Sequence, residues 1–327
     1  MSESSAAAVD ASPPPVPAAV PASPIDVSVI IPARREIFLA RTIEDVVRNA
    51  RANTEVIAVC DGDWPDPAIP DHPRVNLLHY SESVGQRAAT NAGVRAARGK
   101  YVMKLDAHCA VGEGFDVKLM APYESGELTA DTTTIPRMYN LHGFDWVCPD
   151  GHRRYQGPPD PCKECEQPVT QEIVWQPRRA RRTDFARFDA DLHFQYWSRY
   201  KRRPEAQGKL VDVMCSVGAC WFQTRDRYLE LGGLDERHGS WGQVGVEVAC
   251  KAWLSGGRQV VNKRTWFGHM FRTQGKGFTF PYPIRNSDIE AARGYSRWLW
   301  AEGNWEQAVR PLEWILEKFY PVPSWHD

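Results

Sequence analysis

An aspartate and a histidine one residue apart are the side chains whose types and spacing first suggest metal chemistry. Asp106 and His108 directly follow the largely apolar stretch Tyr101–Leu105. A carboxylate and an imidazole both bind divalent cations, and a buried strand ending here would deliver them together to one edge of a sheet. The alternative is a strand that ends in an ordinary polar loop. The elements around this pair therefore have to distinguish a metal site from a loop.

The chain before Asp106 alternates between strand-like and helix-like patterns. Strands are predicted at Val27–Pro32, Glu55–Cys60, Val75–Tyr80 and Tyr101–Leu105, and helices at 37–50 and 85–98. This alternation is typical of an α/β fold with a doubly wound, mostly parallel sheet, which binds ligands beyond the carboxyl ends of its strands. Asp61 and Asp63 follow the second strand, so we expect them at the same sheet edge as Asp106 and His108. That coincidence favours a functional site.

The chain after Tyr123 has a different character. Up to Gly208, prolines, arginines and aromatic residues replace the alternation, so we expect long loop excursions over the sheet and no second core domain. Order returns with a predicted strand at 217–222 and helices at 225–231 and up to Trp253. We predict three parts: a tail at 1–24, a main domain at 25–286 with a Cys/Arg-rich insertion at 140–208, and a Trp-rich helical extension at 287–327.

Composition excludes several classes of protein. The formal net charge of -1 excludes a uniformly basic nucleic-acid binder, and no apolar run approaches membrane-spanning length. Residues 1–24 are rich in Ala, Pro and Ser and lack the cationic start and apolar core of a signal peptide, so we expect a disordered tail on a cytoplasmic protein. In that reducing compartment the eight cysteines should be metal ligands or buried thiols before disulfides.

Four landmarks, taken in order, resemble glycosyltransferases of the GT-A fold, in particular glycosyltransferase family 2 and the polypeptide N-acetylgalactosaminyltransferases. The landmarks are the opening strand with the turn 61–63, the stretch 85–101 before Asp106 and His108, the tryptophan-glycine segment 241–247 with glycines 256 and 257 behind it, and the run 268–272. The resemblance covers roughly Val27 to Arg272. It implies that the domain at 25–286 is a GT-A catalytic domain.

The resemblance also implies a metal site and a donor. His269 would complete the site begun by Asp106 and His108, and its mixed nitrogen and oxygen ligands suit Mn²⁺ better than Ca²⁺, with Mg²⁺ also compatible. The cation would act as a Lewis acid on the diphosphate leaving group of a nucleotide-sugar, expected to be a UDP-sugar. The residues expected at the nucleotide-sugar are Pro32, Arg34, Glu36, Asp61, Asp63, Arg87, Asn91 and Trp241. For the two aspartates of the turn, an Asp-Gly turn that satisfies its own backbone is an equal alternative.

The sequence departs from the family at the tryptophan-glycine segment. That segment usually continues to an acidic residue, whose neighbour is the catalytic base in inverting members, but Val244 and Gly245 occupy these positions here. Glu247 is the acid that remains. A retaining mechanism needs no such base, because the departing phosphate oxygen can accept the proton of the acceptor hydroxyl or amine. We therefore expect retention, with Glu247 and Arg272 as catalytic residues beside Asp106 and His108. The competing interpretation is a non-catalytic nucleic-acid-binding or scaffold protein on a degenerate transferase fold.

Three cysteines and a histidine form a second candidate metal site. The spacing Cys148-x3-His152-x9-Cys162-x2-Cys165 places three thiolates and an imidazole in a loop rich in glycine and proline. Such ligands could close a tetrahedral structural Zn²⁺ site and hold together a segment with little core of its own. The alternative is a disulfide, or thiols with unrelated roles.

The region Arg178–Arg203 suggests a second kind of acceptor. Residues 176–203 contain nine basic residues and three acidic ones, interleaved with six aromatic residues: Phe185, Phe188, Phe194, Tyr196, Trp197 and Tyr200. Arginines with aromatic rings beside a transferase site could hold a nucleic-acid backbone, so that a modified base in DNA would be the acceptor. The alternative is a solvated basic loop, or one that binds the donor diphosphate.

Overall fold

The computed structural model describes residues 24–240, 242–272, 278–282 and 285–325. Within these ranges the strands are β1 (Val27–Ala33), β2 (Thr54–Asp61), β3 (Val75–Tyr80), β4 (Tyr101–Leu105), β5 (Cys109–Val111), β6 (Thr132–Val147), β7 (Arg153–Tyr155), β8 (Thr170–Thr183), β9 (Ala186–Phe188), β10 (Phe194–Tyr196), β11 (Leu210–Asp212), β12 (Cys220–Thr224) and β13 (Arg258–His269). The helices are α1 (Leu39–Asn49), α2 (Gln86–Ala96), α3 (Phe115–Glu124), α4 (Arg225–Glu230), α5 (Val244–Leu254), α6 (Asn286–Ser296) and α7 (Leu312–Lys318). The predicted tail at 1–24 lies, apart from Pro24, outside the described residues.

The centre of the fold is a doubly wound parallel sheet. Strands β3, β2, β1 and β4 are adjacent in that order, and all three pairings are parallel. β2 lies on one side of β1, and β4 lies on the other. The strand order therefore reverses between β1 and β4, which is where such sheets bind ligands. The predicted α/β fold is confirmed, and β3 and β4 have the predicted bounds.

Helices cover both faces of this sheet. Every residue of β1 and β2 is buried, as expected for parallel strands with helices on either side. Side chains alternate between the faces: Ile30 joins the apolar cluster that includes α2 and α5, whereas Val29 and Ile31 join the cluster of α1 and α3. Packing on both faces therefore fixes the parallel strands. The residues that follow each carboxyl end are positioned by the strand before them.

The sheet continues through strands that the composition does not reveal. β12 pairs antiparallel with β4, and the order continues through β6 and β13 to β11. β6 and β8, of 16 and 14 residues, pair antiparallel within the stretch predicted to form loop excursions, and that prediction is wrong. Buried threonines such as Thr133, which donates to Gln223 (2.8 Å), give β6 a polar composition, and two register shifts in the β6–β8 pair interrupt the alternation of side chains.

The carboxy-terminal part packs against α5. A π-helical turn at Arg297–Ala301 follows α6, and Trp300 within it is 1% exposed. The rings of Trp253 in α5 and Trp314 in α7 lie 5.9 Å apart. None of the helices in the described ranges combines the length and apolar character needed to cross a lipid bilayer.

Candidate active site

Asp106, His108 and His269 meet at the carboxyl end of β4. Asp106 and His108 leave β4 directly, and the chain then enters β5, which pairs antiparallel with the end of β13 and sets His269 opposite Cys109. The Met270 backbone N–H donates to the His108 carbonyl (3.2 Å) and fixes this crossing. The three potential ligand atoms lie within 4.8 Å of one another. This closeness gives one carboxylate and two imidazoles the arrangement of a divalent-cation site.

The protonation states of Asp106 and His269 suit metal binding. Burial raises the pKa of Asp106, but the Lys104 ammonium, which contacts its carboxylate, and a hydrogen bond with His269 outweigh that effect and hold it well below its usual range. Burial lowers the pKa of His269 to about 4, against the opposing effect of Asp106. The imidazole of His269 is thus neutral near pH 7, and its buried Nδ1 has no hydrogen-bond partner among the described residues. Ionised carboxylate and neutral imidazole are the forms that bind metal.

Glu36 orients one of the histidines. Its carboxylate lies 2.8 Å from His108 Nδ1 and also contacts the Arg272 guanidinium, and its side chain is 1% exposed. A carboxylate bound to Nδ1 fixes the histidine tautomer and leaves Nε2 free to face a metal ion. Glu36, predicted at the nucleotide-sugar, lines the cavity beside the candidate metal ligands and also makes this supporting contact with His108.

A cavity of about 420 Å³ opens over this cluster. Its walls come from the carboxyl ends of β1 and β4, the amino-terminal end of α5 and the stretch 280–282. Seven of the residues predicted to form the site line it: Pro32, Arg34, Glu36, Asp106, His108, His269 and Arg272. Arg34, Arg272 and Arg293 give it three guanidinium groups, which suit an anionic ligand such as a diphosphate.

Asp61 lies outside the cavity. Its carboxylate is fully buried and accepts hydrogen bonds from the Ser83 hydroxyl (3.0 Å), the backbone N–H groups of Val84 and Gly85, and the Tyr282 hydroxyl (2.8 Å). In the structure, Asp61 therefore stabilises the loop before α2 and, through Tyr282, one wall of the cavity. These contacts replace the predicted contact with the donor. Asp63 is half-buried and lies 3.6 Å from the Arg35 guanidinium, also away from the cavity lining.

Arg87 and Glu247 pair inside the protein. Arg87 Nε donates to Glu247 (3.0 Å), Lys251 Nζ lies 3.1 Å from the same carboxylate, and both members of the first pair are at most 1% exposed. Burial raises the pKa of Glu247, but Lys251 and Arg87 bring it below its usual value. A buried carboxylate held by two cations does not reach the cavity. The predicted catalytic position of Glu247 and the predicted donor contact of Arg87 are thus replaced by an ion pair that joins α2 to α5.

Asn91 is also a structural residue here. Its amide group donates to the Leu234 carbonyl (2.8 Å) and to Glu236, and its oxygen accepts from the Tyr228 hydroxyl (2.6 Å) and the Leu234 N–H. These bonds use its full capacity, so no group remains for a nucleotide. It lines a separate cavity of about 670 Å³ that includes none of the three metal-site residues. Trp241, the remaining predicted donor residue, lies outside the described residues.

Gly245 explains why this position carries no acid. A Cβ atom there would lie 1.9 Å from the Ser216 carbonyl oxygen, and Gly218, at φ +82°, packs against the same backbone. Only glycine permits α5 to approach the segment 216–218 this closely. The amino-terminal end of α5 therefore lines the cavity with backbone and apolar groups.

Three residues of the site were not predicted from the sequence. Lys104 is 1% exposed and holds Asp106, Gln86 Nε2 lies 3.3 Å from the Asp106 carboxylate, and Tyr282 lines the cavity while binding Asp61. The alternation of β4 predicts that Lys104 faces the same side of the sheet as Asp106, which is the one signal that could have identified it.

The basic region offers exposed arginines but few exposed rings. Arg178, Arg179, Arg181 and Arg182 are exposed on β8. Of the six aromatic residues interleaved with them, Phe185, Phe188, Trp197 and Tyr200 are buried, and Tyr196 alone is exposed. Binding of single-stranded DNA relies on rings that stack on bases. The structure therefore gives the DNA interpretation no support from these rings.

The fold and the site together have the arrangement of a GT-A glycosyltransferase. Residues 28–230 match the family model "Glycosyl transferase family 2", so the chain belongs to this family. It is 25% identical over 274 residues to the putative polypeptide N-acetylgalactosaminyltransferase 13 of Drosophila melanogaster, an alignment covering 78% of this chain and 43% of that protein. It is 23% identical over 281 residues to the probable N-acetylgalactosaminyltransferase 8 of Caenorhabditis elegans, covering 74% of this chain and 56% of that protein.

A solved structure agrees with the fold. The crystal structure of GalNAc-T7 with UDP, GalNAc and Mn²⁺ superposes with a TM-score of 0.58 at 17% identity, covering 90% of this chain and 56% of that one. The chain thus spans about half the length of the relatives it matches. The predicted relationship to glycosyltransferases of the GT-A fold is confirmed.

Replacing Glu36 with glutamine should weaken metal binding. The amide keeps the shape of the side chain but loses the charge that holds His108 and Arg272, so we expect a Mn²⁺ affinity lower by about 10–100-fold. Calorimetric titration with Mn²⁺ in the presence of UDP measures the effect. Glu44→Gln is the matched control, because it changes an exposed carboxylate of α1 whose one ion pair among the described residues is with Arg41. Equal affinities of the Glu36 variant and the wild type would contradict the orienting role.

Proposed function

We propose that this protein is a divalent-metal-dependent glycosyltransferase that moves a sugar from a UDP-sugar to a hydroxyl or amine acceptor. The observation that carries the proposal is the convergence of Asp106, His108 and His269 on a cavity at the switch point between β1 and β4. A nucleic-acid-binding scaffold on a degenerate fold would not require a buried lysine to keep one ligand ionised or a buried glutamate to orient another.

The residues of the cavity fit a cation and a diphosphate. Mn²⁺ or Mg²⁺ bound by Asp106, His108 and His269 would supply Lewis-acid stabilisation of the charge that develops on the leaving diphosphate. Arg34 and Arg272 face the same space and would add charge-assisted hydrogen bonds to phosphate oxygens. Backbone carbonyls of Asp61 and Pro281 accept from the Arg34 guanidinium at 3.0 and 3.1 Å, which restrains it before a ligand arrives. Positions set in advance make such stabilisation effective.

The relatives suggest which donor to test first. Two of them carry N-acetylgalactosaminyltransferase in their names, and the similar crystal structure contains UDP, GalNAc and Mn²⁺. UDP-N-acetylgalactosamine is therefore our first candidate donor. We expect the acceptor to bind to the surfaces around the cavity mouth, which include the amino-terminal end of α5 and the stretch 280–282.

Retention of the anomeric configuration is the mechanism we propose. Among the described residues that line the cavity, the carboxylates are Glu36 and Asp106, and both are occupied by histidine and cationic partners. No carboxylate among the described lining residues is therefore left to act as the base of an inverting attack, whereas a retaining reaction can pass the acceptor proton to the departing phosphate oxygen.

Turnover of the donor tests the function. In the presence of Mn²⁺ the protein should release UDP from UDP-N-acetylgalactosamine, slowly with water as acceptor, and EDTA should abolish the release. Asp106→Asn and His269→Ala should lower the rate by at least about 100-fold, since loss of a ligand should cost no less than loss of its supporting group. Asp71→Asn, at an exposed aspartate, should leave the rate unchanged. Full activity in Asp106→Asn would refute the assignment of Asp106 as a metal ligand. If the wild type showed neither turnover nor UDP binding, the proposed transferase function would be refuted.

The stereochemistry of the product tests the mechanism. With water as acceptor, we expect the α-linked donor to release the α-anomer of the free sugar, observed by NMR of the anomeric proton before the two anomers equilibrate in solution. If the β-anomer appeared first, the reaction would be inverting and the proposed mechanism would be wrong.

A further inference from the structure

The cluster Cys148, His152, Cys162 and Cys165 lies apart from the proposed active site. Cys148 and His152 flank the turn between β6 and β7, and Cys162 and Cys165 lie in the long connection from β7 to β8. The proposed reaction does not use these residues. We infer that they bind a structural Zn²⁺ ion that holds the β6–β7–β8 sheet extension together.

The distances within the cluster match tetrahedral zinc. Zn–S bonds of about 2.3 Å and Zn–N bonds of about 2.0–2.1 Å place two sulfur ligands about 3.8 Å apart, and a sulfur and a nitrogen about 3.5 Å apart, around one ion. His152 Nδ1 lies 3.5 Å from Cys148 Sγ and 3.6 Å from Cys162 Sγ. Cys165 Sγ lies 3.5 Å from Cys148 Sγ. All four ligand atoms lie within 4.8 Å of one another.

A disulfide accounts for this arrangement less well. All three cysteines are free thiols, and the separation of 3.5 Å between Cys165 Sγ and Cys148 Sγ is far longer than the bond of about 2.05 Å in a disulfide. A bond between any two of the sulfurs would also leave the positions of the third thiol and the histidine ring unexplained, although both face the same point. Four ligand atoms directed at one point are explained by an ion at that point.

The backbone presents the ligands in two pairs. In the first pair, the Cys148 N–H donates to the His152 carbonyl (3.2 Å), and Gly151 closes the turn at φ +83°. In the second, the Glu166 N–H donates to the Cys162 carbonyl (2.9 Å), which wraps the chain around the two sulfurs. Each tight turn directs two side chains to the same side, as the short ligand spacings of zinc sites require.

The histidine is also oriented. Its Nδ1 faces the sulfurs, while its Nε2 lies 3.5 Å from the Glu164 carboxylate, on the outer side of the cluster. A carboxylate beside the outer nitrogen is the arrangement found around metal-bound histidines, because it favours the tautomer whose inner nitrogen is free to bind. With four protein ligands the site has no open position, so we assign it a structural role and not a catalytic one.

The segment needs such a link because it has no apolar core of its own. Among the described residues, none between 148 and 169 belongs to the three apolar clusters of the protein. Yet Tyr155, Gln156 and Gly157 line a cavity of about 290 Å³ whose other wall includes His269 and Phe271. The zinc ion would therefore fix one wall of a cavity that adjoins the proposed catalytic metal. For a short segment without a core, the free energy of metal binding supplies the stability that burial cannot.

Metal analysis of the full-length protein tests this inference directly. Protein expressed with zinc in the medium and purified without chelator should contain about one Zn²⁺ per chain, by the four-ligand stoichiometry. Its X-ray absorption spectrum should fit three sulfur ligands at about 2.3 Å and one nitrogen ligand at about 2.0–2.1 Å. This measurement requires only the wild type, so it remains decisive if a cysteine variant fails to fold.

Two variants distinguish this cluster from the proposed catalytic site. The double variant Cys162→Ser/Cys165→Ser should lower the zinc content at least about tenfold, because two of four ligands are lost. His269→Ala, which removes a ligand of the other cluster, should keep its zinc, as should Cys60→Ala, at a buried thiol of β2. Zinc that is retained by the double variant and lost from His269→Ala would overturn the inference. So would a spectrum without sulfur ligands, or a wild type without zinc. No donor sugar is involved, so this result is independent of the proposed transferase activity.

Discussion

The antiparallel pairing of β13 with the short strand β5 is the contact on which the site depends. It places His269 beside Asp106 and His108, which belong to a distant part of the chain, and the bond from Met270 N–H to the His108 carbonyl fixes their separation. A shift of one residue in this register would turn the His269 side chain to the opposite face of the sheet. The parallel strands β1 and β4 set the other side of the site, so the three candidate metal ligands are positioned by regular secondary structure.

The buried charged side chains around the β5–β13 pairing form pairs of opposite sign. Lys104 holds Asp106, Arg272 holds Glu36, and Arg87 holds Glu247. Removing one partner of such a pair typically costs about 3–5 kcal/mol, because the other charge is left buried and unpaired. The pairs of Asp106 and Glu36 line or support the cavity and set the charge and orientation of its candidate ligands. The pair of Glu247 joins α2 to α5 away from the cavity lining. The same chemistry thus serves the site and the scaffold, and burial alone does not tell the two uses apart.

The central fold and the core of the site could be predicted from the sequence, and the reasons are physical. Fully buried parallel strands are continuous apolar runs, so β1 to β4 stand out, and polar residues directly after them mark the ligand-binding edge. β6 and β8 do not stand out, because buried threonines and exposed arginines conceal their alternation. Asp61 and Asn91 show a further limit: a polar side chain near a motif has the same letter whether it faces a ligand or a buried backbone group. Only the three-dimensional partners separate these cases.

The position of the metal ion tests the proposed site most directly. Crystals of the protein grown with Mn²⁺ and UDP, measured at the manganese absorption edge, should show one strong anomalous peak coordinated by Asp106, His108 and His269, with diphosphate oxygens completing its ligands. A strong peak elsewhere, or UDP bound in the cavity with no cation between these three side chains, would show that Asp106, His108 and His269 do not form the metal site.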